Sequence, residues 1–219
     1  MTGVTASRRE QAVARSLDSA RARAEKRVQR FLEAALELMT TSPDKEFTVQ
    51  EVVERSGQSL RSFYQHFAGK GELLLALFEE IVRSTADDLG ARVADEADAV
   101  TRLHVLVVDY YEICRPVPRG QRGTKPLTPT IAEFAQYLLT AQPADAARAF
   151  APLVTLFDRA LDDAVATGAV RDDVTVTGVL LQAIMFNAFA TTISRSHPHA
   201  GDDAAEQLWD LVVNGIISK

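Results

Sequence analysis

A short run of side chains from Ser59 to His66 carries the residue types best suited to chemistry in this sequence. Arg61 offers a planar fork of hydrogen-bond donors, and Tyr64 adds a flat aromatic ring with a hydroxyl group. When such groups are exposed together on one short helix, they can hydrogen-bond the edges of bases in the major groove of DNA. The run therefore predicts a surface that reads double-stranded DNA.

The candidate DNA contacts divide by chemical type. Groups that meet phosphate oxygens position a protein on DNA, whereas groups that reach base edges specify the sequence. The phosphate-contact candidates are Thr48, Tyr64, His66 and Lys70. The base-edge candidates are Ser59, Leu60, Arg61, Ser62 and Gln65. Some of these side chains could instead form only the solvated face of a short helix.

Two short helices must hold these side chains, and the sequence contains signals for their ends. Thr48 followed three residues later by Glu51 predicts a capping box where the first helix begins. Gly57 can adopt the left-handed conformation that ends a helix, and Ser59 is a favourable N-cap for the next one. Residues 47–74 are therefore predicted to form a helix-turn-helix that runs into a further helix.

This segment resembles the DNA-binding part of the TetR family of bacterial transcriptional regulators. The resemblance covers residues 27–80, and Gln58 departs from it, because a small apolar residue is common there. It rests on Phe31–Met39, Phe47–Val49, Gly57, Ser59, Phe63–Phe67, Lys70 and Glu72–Leu74. It implies an all-α fold with an N-terminal three-helix DNA-binding domain and a larger C-terminal helical bundle for ligand binding and dimerisation.

Charge is distributed unevenly along the chain. Residues 1–70 contain 12 Lys and Arg against 9 Asp and Glu, a net charge of +3, and residues 71–219 contain 12 against 21, or −9. Because salt screens charges over about 8–10 Å, the local excess governs attraction to phosphates. We predict a basic extension at 1–26, the DNA-binding domain at 27–74, and an effector-binding and dimerisation domain at 75–219.

Two hypotheses explain the basic extension. It could be a solvated tail that becomes partly helical as it enters the first helix, predicted at Arg27–Met39. It could also be a basic arm that contacts phosphates or enters the minor groove. In the second case its truncation should weaken binding to all DNA sequences about equally, because phosphate contacts carry no sequence information. The cations of the extension are Arg8, Arg9, Arg15, Arg21, Arg23 and Lys26.

Apolar periodicity predicts further helices after the DNA-binding segment. The first of them, Lys70–Ala94, links the DNA-binding head to the body in the resembling family. Beyond it, we predict helices at Ala99–Arg115, Leu127–Thr140, Pro143–Ala166 and Val174–Ser194, and a last helix capped by Asp202 or Asp203. Gly168 is expected to end the helix that begins at Pro143.

The helix at Val174–Ser194 is apolar nearly all round, which predicts burial on two sides. Small residues along one side permit close approach to a second subunit, and a two-fold dimer could pair this side and the last helix with their copies. The resemblance implies the same arrangement, since the last two helices of the family commonly form a four-helix interface. The interface candidates are Thr177, Leu181, Ile184, Ala188, Thr191, Leu208, Trp209 and Val212.

Aromatic and sulfur-bearing residues recur on stripes of the bundle that are predicted to face inward. Each could be ordinary core, but the resemblance implies that the bundle as a whole encloses an effector site. Such a mostly apolar site would favour a lipophilic molecule. The loop Arg115–Lys125 could bind the phosphates of an acyl-CoA or be simply a solvated loop. The ligand-binding candidates are Leu103, Val107, Tyr110, Tyr111, Cys114, Phe134, Tyr137, Phe157, Phe186 and Asn187.

Signals for other functions are weak. Cys114 lies on an apolar stripe, which favours core packing over redox sensing, and His197 and His199 supply too few ligands for a metal ion. The sequence has no glycine-rich phosphate loop, nucleophile elbow or His-Glu-x-x-His pattern, so we expect no catalytic residues and no cofactor. It also has no apolar run of transmembrane length and no signal-peptide core, so we expect a cytoplasmic protein.

These observations predict an all-helical, homodimeric transcriptional regulator that acts as a repressor. It would bind a pseudo-palindromic operator until a small, lipophilic effector releases it. An activator or a ligand-independent regulator of the same fold is an alternative. A helical-bundle enzyme on a small apolar substrate would be recognised by turnover without DNA binding, and a sequence-independent nucleoid protein by equal affinity for any duplex.

Overall fold

The structure of the protein, a computed structural model, describes residues 7–42, 45–114, 129–171 and 203–216. Every element of secondary structure assigned within these ranges is an α-helix, in agreement with the predicted fold class. They are α1 (Arg8–Thr41), α2 (Val49–Ser56), α3 (Leu60–His66), α4 (Lys70–Val93), α5 (Ala99–Cys114), α6 (Pro129–Ala141), α7 (Pro143–Ala166) and α8 (Ala204–Ile216). The chain forms two compact units, Met1–Leu77 and Phe78–Lys219.

Three phenylalanine rings form the centre of the first unit. Phe31 of α1 and Phe63 of α3 are both fully buried, and their ring centroids lie 5.4 Å apart in an edge-to-face arrangement. Phe67 adds a second edge-to-face contact with Phe31 at 6.1 Å. Such aromatic pairs contribute about 0.5–1.5 kcal/mol each beyond the burial of their area. The cluster therefore fixes α3 against α1 and leaves the opposite side of α3 in solvent.

The ends of α2 and α3 are formed by the residues that the sequence indicates. Thr48 Oγ1 accepts a hydrogen bond from the backbone N–H of Glu51, and Glu51 Oε2 accepts one from the backbone N–H of Thr48, so the capping box is complete. Gly57 has φ of +66° and ends α2 in the left-handed conformation. Ser59 Oγ then accepts from the N–H of Ser62 at 3.1 Å and caps α3.

The first helix is longer than predicted. It begins at Arg8 and not at Arg27, so the segment that was a candidate for a solvated tail is a continuation of α1. Residues 8–26 contain no glycine or proline, and alanine and arginine, both strong helix formers, make up most of them. Once the packed part of α1 has formed, such residues need only to extend an existing helix.

In the second unit, α5 packs against both α7 and α8. Tyr110 of α5 and Phe157 of α7 lie with ring centroids 5.9 Å apart. His104 of α5 faces Trp209 of α8 at 5.1 Å, and its Nε2 lies 2.9 Å from an oxygen of Glu206. The last helix is thus held by both an aromatic and a polar contact.

The predicted bounds of α7 are confirmed, with Pro143 at its first turn and Gly168, at φ of +72°, immediately beyond its end. The other predicted helices of the second unit start or end within a few residues of the observed ones. The predicted helix Val174–Ser194 and the loop Arg115–Lys125 lie outside the described residues.

Candidate nucleic-acid interface

The outer side of α3 carries four of the predicted DNA contacts in exposed positions. They are Leu60, Arg61, Tyr64 and Gln65, and Tyr64 is 56% exposed. The Tyr64 ring stands edge-to-face on the buried Phe63 ring, with centroids 5.4 Å apart. This contact orients the ring, while more than half of the side chain remains exposed to solvent.

Two further predicted contacts on α3, Ser62 and His66, are half-buried and so less accessible than expected. Ser59 is exposed, but its Oγ accepts the backbone N–H of Ser62 in the cap of α3. Ser62 and His66 lie four residues apart in α3, so they share one side of the helix. Ser62 Oγ donates to Gln58 Oε1 at 3.5 Å, and His66 Nε2 is buried with no hydrogen-bond partner among the described residues.

Gln58 has a structural role that the sequence did not reveal. Its side-chain amide donates to the backbone carbonyl oxygen of Arg27 at 2.8 Å. The hydrogen bond ties the residue before the N-cap of α3 to the middle of α1. A small apolar residue, which is common here in the resembling family, could not make this contact, and the polar side chain was the signal for it.

Thr48, a predicted phosphate contact, is committed to the capping box by its side chain. The partner carboxylate of Glu51 accepts from Lys45 Nζ at 2.7 Å and from the backbone and hydroxyl of Thr48. These hydrogen bonds, that of Lys45 first, lower the pKa of Glu51 to about 2. The exposed backbone at the start of α2 is consequently held in place by an ionised group at neutral pH.

Lys70, at the start of α4, is half-buried and held by two neighbours. Its Nζ lies 3.5 Å from Glu46 Oε2 and 4.7 Å from the centroid of the Phe47 ring. A cation above an aromatic face is attracted by the negative face of the ring quadrupole. Sequence reasoning identified Lys70 but missed both neighbours, which precede α2 in the turn.

Most of the ligand-binding candidates that the structure describes are buried in the second unit. Leu103, Val107, Tyr110, Tyr111, Cys114 and Phe157 are all buried, and Phe134 is half-buried. Tyr137 is an exception and corrects the prediction, because its side chain is 50% exposed. Phe186 and Asn187 lie outside the described residues.

Cys114 lies in the core and not at a reactive surface. Burial raises the pKa of its thiol to about 12, and it is hydrogen-bonded to the buried Tyr110. The thiol is therefore protonated at neutral pH, and a protonated thiol is a poor nucleophile. The sequence-based assignment of Cys114 to the core agrees with this environment.

The dimer candidates on α8 divide into two groups. Leu208 and Val212 are buried within their own chain and Trp209 is half-buried, whereas Leu211, which was not a candidate, is exposed. The remaining candidates, Thr177, Leu181, Ile184, Ala188 and Thr191, lie outside the described residues.

Metal binding and membrane insertion would each need a particular arrangement among the described residues. Among them, no group of three or more His, Cys, Asp or Glu side chains is arranged to hold a metal ion. In the same residues, no helix combines the length and apolar character that crossing a membrane requires.

Comparison with known families agrees with the local geometry. Residues 31–77 match the family described as bacterial regulatory proteins, tetR family. These residues run from the buried Phe31 of α1 to Leu77 of α4 and include the whole helix-turn-helix. The chain is also 25% identical over 85 residues to the uncharacterized HTH-type transcriptional regulator YvdT of Bacillus subtilis. That match spans 39% of this chain and 44% of YvdT, less than half of either.

Solved structures share the fold over most of the chain. The fatty acid degradation regulator FadR of Bacillus halodurans matches with a TM-score of 0.64 and 15% identity, over 85% of this chain and 94% of that one. FadR of Bacillus subtilis, in complex with stearoyl-CoA, matches with a TM-score of 0.62 and 15% identity, over 86% and 98%. At such identities the likeness establishes the fold alone.

Proposed function

This chain belongs to the TetR family of bacterial transcriptional regulators, and we propose that it is a ligand-responsive repressor that binds a pseudo-palindromic operator as a dimer. The observation that carries the proposal is the outer side of α3, where Arg61, Tyr64 and Gln65 are exposed on a helix fixed from behind by buried aromatic rings. Because DNA is its proposed target, we propose that it acts in the cytoplasm.

The exposed groups on α3 suit a division of roles. Arg61 lies in the first turn of α3, and the N-terminal residues of a recognition helix are those that contact base edges. A guanidinium can contact the O6 and N7 atoms of guanine at the same time. Tyr64 lies one turn later, and its hydroxyl can donate to a phosphate oxygen. We therefore assign specificity to Arg61 and positioning to Tyr64.

The proposed effector is a small lipophilic molecule that binds within the second unit. Support comes from the buried side chains of α5 and α7, which are apolar apart from a few groups such as the Tyr110 hydroxyl. The FadR relative in complex with stearoyl-CoA suggests a long-chain acyl-CoA as the first compound to test. Release of DNA requires that the effector prefers the non-binding form, usually by about 1–3 kcal/mol.

The first test is a selection of DNA sites followed by fluorescence anisotropy on the selected duplex and on a scrambled one. A specific regulator should prefer the selected duplex about a thousandfold or more. Arg61→Ala should remove most of that preference, since the dimer loses one base contact in each half-site, each worth about 1–3 kcal/mol. Tyr64→Ala should weaken binding to both duplexes by a similar factor, because phosphate contacts do not depend on sequence.

Each result has a distinct consequence. Equal affinity of the wild-type chain for both duplexes would refute sequence-specific regulation and favour a nucleoid protein. If Arg61→Ala lowered both affinities equally, Arg61 would be a phosphate contact. Addition of stearoyl-CoA to the complex should release the selected duplex if the effector is a long-chain acyl-CoA. An unchanged anisotropy, with no shift in melting temperature, would refute that effector class and leave DNA binding unaffected.

A further inference from the structure

The N-terminal part of α1, Arg8–Lys26, extends beyond the packed part of the helix. Of its side chains that the structure describes, all are exposed except that of Ala24. At 1.5 Å per residue these 19 residues extend for roughly 28 Å. An extension that buries so little surface contributes little to the core of the first unit, and its described side chains face solvent, where a partner outside the chain could reach them.

Positive charge is concentrated on one side of this extension. Successive helical residues are about 100° apart around the axis, and on that geometry seven of the eight cations in residues 8–30 fall within roughly 120°. The acids of the same stretch, Glu10, Asp18 and Glu25, take positions outside it. We call the seven cations the basic arc; they are Arg8, Arg9, Arg15, Arg23, Lys26, Arg27 and Arg30.

Residues 8–30 contain eight cations and three acids, so pairing within the helix leaves a net positive charge. Arg21, the one cation outside the arc, forms an ion pair with Glu25, with Nε 2.8 Å from Oε1. Arg23, inside the arc, donates its Nε to the carbonyl oxygen of Ser19 at 3.1 Å. A carbonyl oxygen is a neutral acceptor, so this hydrogen bond orients the guanidinium without cancelling its charge.

The basic arc begins beside the helix that is proposed to read DNA. Gln58, which precedes the N-cap of α3, donates to the carbonyl oxygen of Arg27 at 2.8 Å. Since the N-terminal residues of a recognition helix contact the bases, the extension starts at the DNA-reading end of α3. Its length corresponds to about 8 base pairs at 3.4 Å each.

We propose that the part of α1 from Arg8 to Arg30 is a helical clamp whose basic arc binds the phosphate backbone of the DNA that flanks the site read by α3. The inference rests on the proposed function, because it takes the DNA surface of α3 as its starting point. Charge complementarity favours DNA over a membrane surface, since the extension outside the arc offers only Val13, Leu17 and several alanines for burial in a bilayer. The clamp adds affinity without sequence preference.

The test uses two matched variants of the full chain, Arg23→Gln inside the basic arc and Arg21→Gln outside it. Glutamine is a good helix former, so neither change removes the helix. Affinity is measured by anisotropy at several salt concentrations, on selected duplexes that end at the half-sites or extend about 8 base pairs beyond them. The wild-type chain should bind the extended duplex more tightly. On that duplex Arg23→Gln should reduce the slope of log K against log salt by about 1.8, which is about 0.9 for each subunit of the dimer. Arg21→Gln should leave it unchanged.

Other results would overturn the clamp. Equal slopes for the wild-type chain and Arg23→Gln on the extended duplex would contradict it. It would also be contradicted if the wild-type chain bound vesicles of anionic lipid and Arg23→Gln abolished that binding without changing DNA affinity. Both results leave the proposed function intact, provided that the selected duplex still outcompetes a scrambled one. If the wild-type chain showed no preference between those duplexes, the proposed function would fail. The slopes of the wild-type chain and Arg23→Gln on an extended scrambled duplex would then still show whether the basic arc binds phosphates.

Discussion

At the scale of single residues, Lys70 is a proposed phosphate contact whose charge is already engaged within the protein. Phe47 and Glu46 hold its ammonium group at the start of α4. The Glu46 side chain is 94% exposed, so in the DNA complex its carboxylate would compete with a phosphate for Lys70. Exposed ion pairs of this kind contribute at most about 1 kcal/mol, which makes the competition weak.

We expect Glu46→Gln to strengthen binding to the selected duplex by up to about fivefold, because the change removes a competitor of the phosphate and a negative charge near DNA. Anisotropy at fixed salt measures the gain. In a Lys70→Gln background the same change should give a smaller gain, since one of its two effects acts through Lys70. Weaker binding of Glu46→Gln would show instead that the carboxylate positions Lys70 for DNA.

At the scale of elements, the turn between α2 and α3 depends on the backbone conformation of Gly57. A Cβ atom added there would meet nothing within 4 Å, but φ of +66° strains any other residue. We expect Gly57→Ala to lower the free energy of unfolding by about 1–2 kcal/mol in urea denaturation. Gly71→Ala is the matched control, because Gly71 also has open space around it but lies in the first turn of α4.

Gly71→Ala should leave stability unchanged or raise it by up to about 1 kcal/mol, since alanine has less conformational entropy to lose in a helix. A Gly57→Ala variant as stable as the wild-type chain would mean that the left-handed turn is absent in solution. A loss of DNA affinity in Gly57→Ala that exceeds the loss in Gly71→Ala would show that the turn also sets the orientation of α3.

Sequence signals differ in how far they determine these elements. Both ends of α2 and α7 and the start of α3 were predictable, because each is marked by a specific capping or breaking residue. The start of α1 was not, since nothing between Arg8 and Arg27 breaks a helix and apolar residues mark only its packed part. Tyr137 was misassigned because the buried line of α6, from Ile131 to Leu138, passes about 120° from it.

At the scale of the whole molecule, the contacts of α4 bear on how an effector could act. In the second unit, Arg92 of α4 pairs with Asp109 of α5 at 2.7 Å, and Glu79 of α4 pairs with Arg148 of α7 at 3.4 Å. α4 begins at Lys70, a proposed DNA contact. An effector that shifts α5 or α7 would therefore act on the same helix that carries Lys70. Both ion pairs are largely exposed, so each contributes little to holding α4 against α5 and α7.

Assembly into a dimer needs a surface that is exposed in the single chain. On α8, Leu211 is an exposed apolar residue, and it differs from the predicted interface residues. Leu208 and Val212 are buried within their own chain, so neither is free to pair with a second subunit. Leu211 is 75% exposed, and its complete burial in an interface would contribute about 1.5–3 kcal/mol.

We therefore expect Leu211→Arg to shift the chain from dimer to monomer in sedimentation velocity, because a charged side chain would replace the apolar contact. Asp210→Arg introduces the same side chain about 100° around α8 and should leave the dimer intact. Leu211→Arg should also lose affinity for a full pseudo-palindrome but not for a single half-site, since only the dimer engages both halves at once. If Leu211→Arg remained a dimer, the pairing surface would lie in another part of the chain. The affinities of Leu211→Arg for the full pseudo-palindrome and for the half-site would then equal those of the wild-type chain.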